Sequence, residues 1–559
     1  MPSPDPPSHA AEVIEGKTVV SRRGAVATGP AAAARIGARI LASGGNAMDA
    51  AAAASLACAV IEPESVDLGG YVFSAVVRQA GAQQVWSVDA NAVAPRGAHG
   101  RMFDVLPVAN GRHGVNEAEY DCSVRDDANV YGPLAVAVPG FVGGVGTLWE
   151  RWGKLQWADI VEPSQHLVDQ GIRYGPTAAA IARRLDVLRR YEPALNHLTR
   201  DGIPPAADEV WHRPGLASTL ARLRAHGWRE FYSGELGVQI ARYVRSIGGV
   251  LSAEDMAGYS PRVEPALVVT YRGCPVFTPT LPNGGLTSLQ ILNMLECFPP
   301  SIAAETPAYW HRLGEIMKLA WRDRLQYLGD PDFTDVPVQT LLDKSYARDA
   351  TERLRRFPDS VGAQDSPPTL RSPRGTVHVS AADVDGNVVS ATLSQGTPFG
   401  SCVAVPGTGM ILGHGMCRLD PRPGRPNSIA PGKRPLNNLT PMIVSLPDRE
   451  VALGTRGGRP IVNVCAQLAH RFVDGGWTAS QVLAAPRLHV SDREPLEFLE
   501  FAFTDRVAQE ILDELAAMGH RVRRQHEEVE GAGAAHCVEL LAREQKVRAS
   551  GDTWAAGIA

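Results

Sequence analysis

The sequence predicts an α+β fold, and three observations carry that expectation. Helical patterns dominate up to about residue 356, a stretch dense in Pro, Gly and Ser follows at 356–375, and paired strand patterns begin directly after it. At 559 residues the chain can bury a large core, and length alone suggests three or four domains. Hydrophobic residues at 44% and charged residues at 21% place it among globular proteins, and its 55 Gly and 42 Pro form no low-complexity block.

Taken in order, the elements start with a tail at 1–23. A first helix is predicted over Pro30 to Ser43, with Ile36, Ile40 and Leu41 on one side and Gly44-Gly45 as its stop. Asn46 is placed to cap a second helix that runs through Asp49 and an alanine run to about Ile61. Such an alanine stripe suits close packing of a helix on a sheet. Strand patterns follow at Tyr71 to Arg78 and Gln84 to Val88, and then helical ones within Phe141 to Leu198, Gly215 to His226, Glu235 to Ile247 and Ala308 to Leu328. Beyond the linker, Thr376 to Asp383 and Val388 to Ser394 flank Asp385-Gly386 as a hairpin. Met442 to Leu446 and Glu450 to Leu453 form a second hairpin. Gly457-Gly458 then lead into a helix whose Ile461, Val464, Cys465, Leu468 and Phe472 share one face.

Several function classes fall away. A net charge of −5 lacks the basic footprint of a nucleic-acid binder. Only six of the 55 basic residues are Lys, a skew too broad to assign to a function. The longest apolar run, 50–61, is too short to span a bilayer, so neither nucleic acid nor membrane is an expected partner. Residues 1–24 lack the apolar core of a signal peptide, and the eight Cys are scattered singly without a C-x-x-C pair. Both point to a cytoplasmic protein with reduced thiols, and no metal or organic cofactor is indicated.

The chemistry gathers around Thr376. A Thr heading a strand is ordinarily structural. Here a linker precedes it, and Gly375 has no Cβ to obstruct approach to the carbonyl between them. Cleavage of Gly375–Thr376 would give Thr376 a free α-amine able to act as base for its own hydroxyl. Downstream, Gly457-Gly458 stand before a helix, where backbone N–H groups are natural donors to an oxyanion.

Thr376-Val377-His378-Val379-Ser380 followed by Asp385-Gly386-Asn387 resembles the T-x-H-x-S…DGN signature of gamma-glutamyltranspeptidases. Gly44-Gly45-Asn46-Ala47, Glu62-Pro63 before Gly69-Gly70, Val138-Pro139-Gly140, Phe231 to Glu235, Met317 to Ala320, Tyr327 to Pro331 and Lys433 to Leu436 are similar too, so the resemblance spans roughly residues 24–490. It implies an αββα sandwich of the N-terminal-nucleophile hydrolase type. One domain would be built from a large subunit, 24–375, and a small subunit, 376–559, which stay associated after self-cleavage. Thr376 would be the nucleophile, Ser394 its hydroxyl partner in place of a second Thr, and Gly457 and Gly458 the oxyanion glycines.

The implied substrate positions depart from the family. Asn91 stands where an Arg grips the glutamyl α-carboxylate, and Arg418 where an Asp holds the α-ammonium group. Gly396 replaces an Asn, Gly415 a Gln or Glu, and Asn437-Asn438 a Ser-Ser pair, while Arg456 and Arg459 flank the oxyanion glycines. A cation at 418 opposes a substrate ammonium and suits a carboxylate; otherwise Arg418 is a surface ion pair. The resemblance therefore implies a hydrolase or acyltransferase for a small molecule with altered acyl recognition. A subset of the family, the cytoplasmic homologues proposed to hydrolyse a C–C bond in 4-alkyl-proline antibiotic precursors, agrees with these departures. Conventional γ-glutamyl or glutathione hydrolysis and an inactive scaffold homologue are the alternatives.

Overall fold

The computed structural model describes residues 12–107, 122–173, 175–191, 198–300, 306–356, 375–491, 496–501, 507–527 and 533–558. Most of the predicted linker, 357–374, lies outside them.

Thirteen strands form one hydrogen-bonded path: β1 Val13–Ser21, β2 Gly24–Thr28, β3 Val72–Arg78, β4 Val85–Ala90, β5 Arg262–Pro265, β6 Leu267–Tyr271, β7 Cys274–Thr278, β8 Thr376–Asp383, β9 Val388–Ser394, β10 Met442–Ser445, β11 Glu450–Thr455, β12 Ala535–Leu541 and β13 Lys546–Ile558. Their order is β6-β7-β10-β11-β12-β13-β2-β8-β9-β3-β4-β5, with β1 also on β13. The long β13 makes the turn between layers. Its first half pairs with β12 and its last residues pair with β2, so the path folds over into two facing sheets.

Side-chain alternation shows the layers directly, because successive residues of a strand point to opposite faces. In β8, Val377, Val379 and Ala381 join the core beneath helices α1 Ala31–Ala42, α2 Ala47–Ile61 and α3 Phe141–Trp152. In β10 and β11, Met442, Val444, Val451 and Leu453 pack toward α4 Gly285–Leu295, α5 Pro307–Tyr327 and α6 Pro460–Gly475. Between the sheets lies a third core of mostly small residues, among them Ala25, Ala27, Ala382, Ile443, Ala452, Val538 and Ala549. Helices, sheet, sheet, helices: this is the αββα sandwich.

The two helices predicted at the start form as expected. Asn46 caps α2 by accepting from the N–H groups of Met48 and Asp49, and the Asp49 carboxylate accepts from the Asn46 N–H. The 376–394 hairpin forms with its predicted bounds, and Asp383 ties it down by accepting from Asn387 and from the Ala47 N–H at the start of α2. One expectation fails. Within the predicted tail 1–23, residues 13–21 form β1, because Val19 fills the inter-sheet core and the backbone completes a ladder with β13. The segments before and after residue 375 also interleave within each sheet. β2 sits between β13 and β8, β3 beside β9, and β7 beside β10. The three or four domains suggested by length reduce to one sandwich.

Candidate active site

Thr376 opens β8, and its register partner is Ser394, the last residue of β9. Ser394 is in turn paired with Val72 at the start of β3, whose next residue Phe73 pairs with Ala90 at the end of β4. Four antiparallel strands therefore bring Thr376, Ser394, Tyr71 and Asn91 to one end of one sheet. Thr376 and His378 share the face turned toward the other sheet, where a Cβ on Gly454 would strike the His378 ring. That contact docks β11 onto β8 three residues before Gly457, and so brings the Gly457-Gly458 turn to the Thr376 end of the sheet.

The hydroxyl network has a defined direction. Ser394 Oγ donates to the Gly375 carbonyl oxygen, which also accepts from the Gln395 N–H at 3.2 Å. The Gly396 N–H donates to Ser394 Oγ at 2.9 Å, and Thr376 Oγ1 lies 3.1 Å from it. Ser394 has one hydroxyl proton and spends it on Gly375, so Thr376 is the donor of that pair. Thr376 thus points its proton at a neighbouring oxygen while the carbonyl on its N-terminal side is held by two donors. Both side chains are buried, Thr376 at 3% exposure.

Glycine is required around this bond for a steric reason. A Cβ on Gly375 would collide with the Gly396 carbonyl, and one on Gly396, at φ +98°, with the His414 ring. His414 Nε2 accepts from the Thr397 N–H at 2.9 Å, so its proton sits on Nδ1 and is given to the Val130 carbonyl 3.1 Å away. Burial, then the Arg418 guanidinium, holds this imidazole down to about 3, so it is neutral. His414 carries no sequence signal of its own; only the packing against Gly396 reveals it. His378 of the T-x-H-x-S pattern is likewise neutral, pushed well below the usual histidine range by burial and then His536. It is bonded to Thr392 and Ser380.

Gly457 and Gly458 adopt φ of +115° and +71°, the left-handed region that favours glycine, directly before α6. Arg418 lies near this centre: its guanidinium carbon is 5.9 Å from the Tyr71 ring centroid. Its side chain is buried, which sets aside a surface ion pair. Gly415 is packed against Ala92, the neighbour of Asn91.

Other sequence-predicted positions are occupied by structural partners. Asn91 Nδ2 donates to the Pro435 carbonyl at 2.6 Å. Asn437 Nδ2 donates to Asn283, and its carbonyl oxygen accepts from the Leu439 N–H. Asn438 accepts from Arg324. Arg456 bonds Glu62 at 3.2 Å and Ser65 at 2.9 Å, lining a cavity of about 490 Å³ with Glu62, Glu64, Thr177, Arg173 and Trp554. Thr376 and Gly458 do not line that cavity. Adjacency to Gly457 in the chain thus places Arg456 against a different space.

An αββα sandwich with a threonine heading a central strand and glycine-built turns around it defines the N-terminal-nucleophile hydrolase class. Residues 33–559 match the profile of the family described as Gamma-glutamyltranspeptidase, and the chain belongs to that family. It is similar to the acylase ACY 1 proenzyme of Pseudomonas sp. strain SE83, 32% identical over 94% of this chain and 92% of that one. It is also similar to the glutathione hydrolase proenzyme of Pseudomonas aeruginosa, 29% identical over 90% and 89%. Among solved structures, cephalosporin acylase from Bacillus halodurans superposes with a TM-score of 0.82 at 27% identity, covering 98% of both chains. The chain is therefore an enzyme of the family's hydrolase or transferase kind.

Proposed function

We propose that this protein is a self-cleaving Thr-nucleophile hydrolase or acyltransferase whose acyl group carries a carboxylate but no α-ammonium group. The observation that carries the reading is the direction of the Thr376–Ser394–Gly375 hydrogen bonds. Thr376 Oγ1 attacks the Gly375 carbonyl carbon and its proton passes to the Ser394 oxygen. The C–N bond then breaks, the nitrogen takes up the proton, and water hydrolyses the resulting ester. The products are a 1–375 chain and a 376–559 chain with a free Thr376 amine, which serves as base for the next attack. The proenzyme names of the relatives support this processing. In turnover the N–H groups at Gly457-Gly458 hold the oxyanion.

Arg418 beside Tyr71 supports the choice of acyl group, since a guanidinium clamps a carboxylate and repels an ammonium. On this reading Asn91, Gly396, Asn437 and Asn438 are the positions that would shape the wall around the acyl group. The acylase relatives favour an amide as the bond cleaved. C–C hydrolysis of a 4-alkyl-proline precursor, with an oxalyl-type fragment released, falls within the same chemistry, because the nucleophile again attacks a carbonyl.

The test compares glutaryl- and γ-glutamyl-p-nitroanilide, which differ only by the α-ammonium group, and measures oxalate release from an unsaturated proline-type precursor. We expect the glutaryl substrate to lead by at least about 10-fold in kcat/KM. Equal or better γ-glutamyl turnover would establish the conventional activity instead. A chain that stays uncut and turns over none of the three would establish a scaffold role.

A further inference from the structure

We propose that His311, Glu315 and His520 form a binding site for a zinc-class divalent metal ion, which clasps helix α5 to the C-terminal three-stranded sheet of 487–489, 496–501 and 522–527. His311 and Glu315 are one helical turn apart and so occupy the same face of α5. His520 lies just before the strand Val522–Glu527, and its own N–H donates to the Leu515 carbonyl at 3.1 Å, which fixes its backbone. One ligand atom from each of the three side chains lies within 4.8 Å of the others. Glu315 and His520 are buried and His311 is half-buried.

The donor set is the one zinc uses: two imidazoles and a carboxylate, leaving a fourth position for water. His311 Nδ1 and His520 Nε2 stand 2.7 Å apart in a hydrogen bond. Two nitrogens on one tetrahedral zinc sit about 3.3–3.4 Å apart, so binding needs the pair to open by about 0.6 Å. The half-buried His311 can supply that by rotating. Lys318 Nζ bonds Glu315 Oε1 at 2.7 Å, as outer partners commonly hold a ligating carboxylate, and the same oxygen lies 3.9 Å from His520 Nδ1.

No spacing in the sequence announces this site, because His520 is 209 residues from His311. Its position gives it a role. His311 and Glu315 precede the Gly375–Thr376 bond and His520 follows it, so on the self-cleavage reading above the metal would join the two product chains. The binding test does not depend on cleavage.

Untagged full-length protein, stripped with chelator and dialysed, is titrated with Zn²⁺ by calorimetry and with Co²⁺ by absorption. The expected result is one ion per chain at micromolar Kd or tighter, Co²⁺ bands without a thiolate charge-transfer component, and a rise in Tm with Zn²⁺. His311→Gln and His520→Gln should each weaken Zn²⁺ at least 100-fold, with the exposed His166→Gln unchanged. If His520→Gln fails to fold, the half-buried His311→Gln and the Co²⁺ spectrum of the unaltered protein carry the decision. No saturable one-to-one binding, a thiolate-type Co²⁺ spectrum, or binding that survives loss of His311 would overturn the site.

Discussion

The proposed reaction centre and the ring of residues around it are built by different means. At the centre, backbone register does the positioning: Thr376 faces Ser394 across a ladder, and glycine at 375 and 396 is demanded by collisions with a carbonyl and a ring. Around it, side chains do the positioning, and most already hold partners. Asn91 is bonded to Pro435, Asn438 to Arg324 and Arg456 to Glu62. Chemistry tied to sheet register cannot drift without loss of the fold. Recognition carried by single side chains can be exchanged one residue at a time. On the proposed reading, that difference is how a chain can keep the family's hydroxyl pair and glycine turns while its acyl-binding positions change.

The comparison is broken most directly at Thr376. Thr376→Ala removes only the hydroxyl and its β-methyl partner from a buried strand, so the sandwich should persist while self-cleavage is abolished. Intact mass and a denaturing gel read the outcome: one chain of full length, with anilide turnover lowered by at least about 10⁴-fold. Cleavage that continued in this variant would move the nucleophile elsewhere. Next in size is Arg418→Asp, which reverses the charge beside Tyr71. The ratio of glutaryl to γ-glutamyl kcat/KM should fall by about 100-fold, the scale of a like-charge contact exchanged for an opposite one. An unchanged ratio would remove Arg418 from the acyl pocket.

Arg456 sharpens the comparison from the other side. If it belongs to the scaffold, Arg456→Ala leaves the Glu62 carboxylate without its buried partner and costs about 3 kcal/mol of stability by denaturant titration. KM for the preferred anilide should then move by less than about 3-fold. A large KM effect with little loss of stability would return Arg456 to substrate binding.

What the sequence revealed follows the same division. The hairpin 376–394, the Asn46 cap and the Gly457-Gly458 turn were legible because each depends on local periodicity or a local backbone requirement. β1 and the long β13 carry no such local signal, because they pair with each other across more than 500 residues of chain, which no local pattern encodes. His414 was invisible for a related reason, since its contact with Gly396 exists only after the loops are packed. Proximity to Gly457 in the chain does not fix the place of Arg456 either, because a strand-to-helix turn sends neighbouring residues into different spaces.

The smallest expected effect concerns the cavity behind Arg456. Burial, reinforced by the neighbouring Glu62 carboxylate, pushes the Glu64 carboxyl up to about 8 against the opposing hydrogen bond from Thr177. At neutral pH the folded protein therefore keeps a proton there that the unfolded chain, titrating near about 4.3, releases. The stability from this group is full below about pH 4.3, declines as pH rises, and is lost through about pH 8. Glu64→Gln keeps an acceptor for Thr177 and removes the titration. Its Tm should exceed that of the unaltered protein at pH 8, and the decline in Tm between pH 5 and 8 should flatten. An identical slope in both proteins would mean that Glu64 is ionised when folded, with Arg456 neutralising it as well as Glu62; the cavity would then belong with the charged recognition ring rather than with the scaffold.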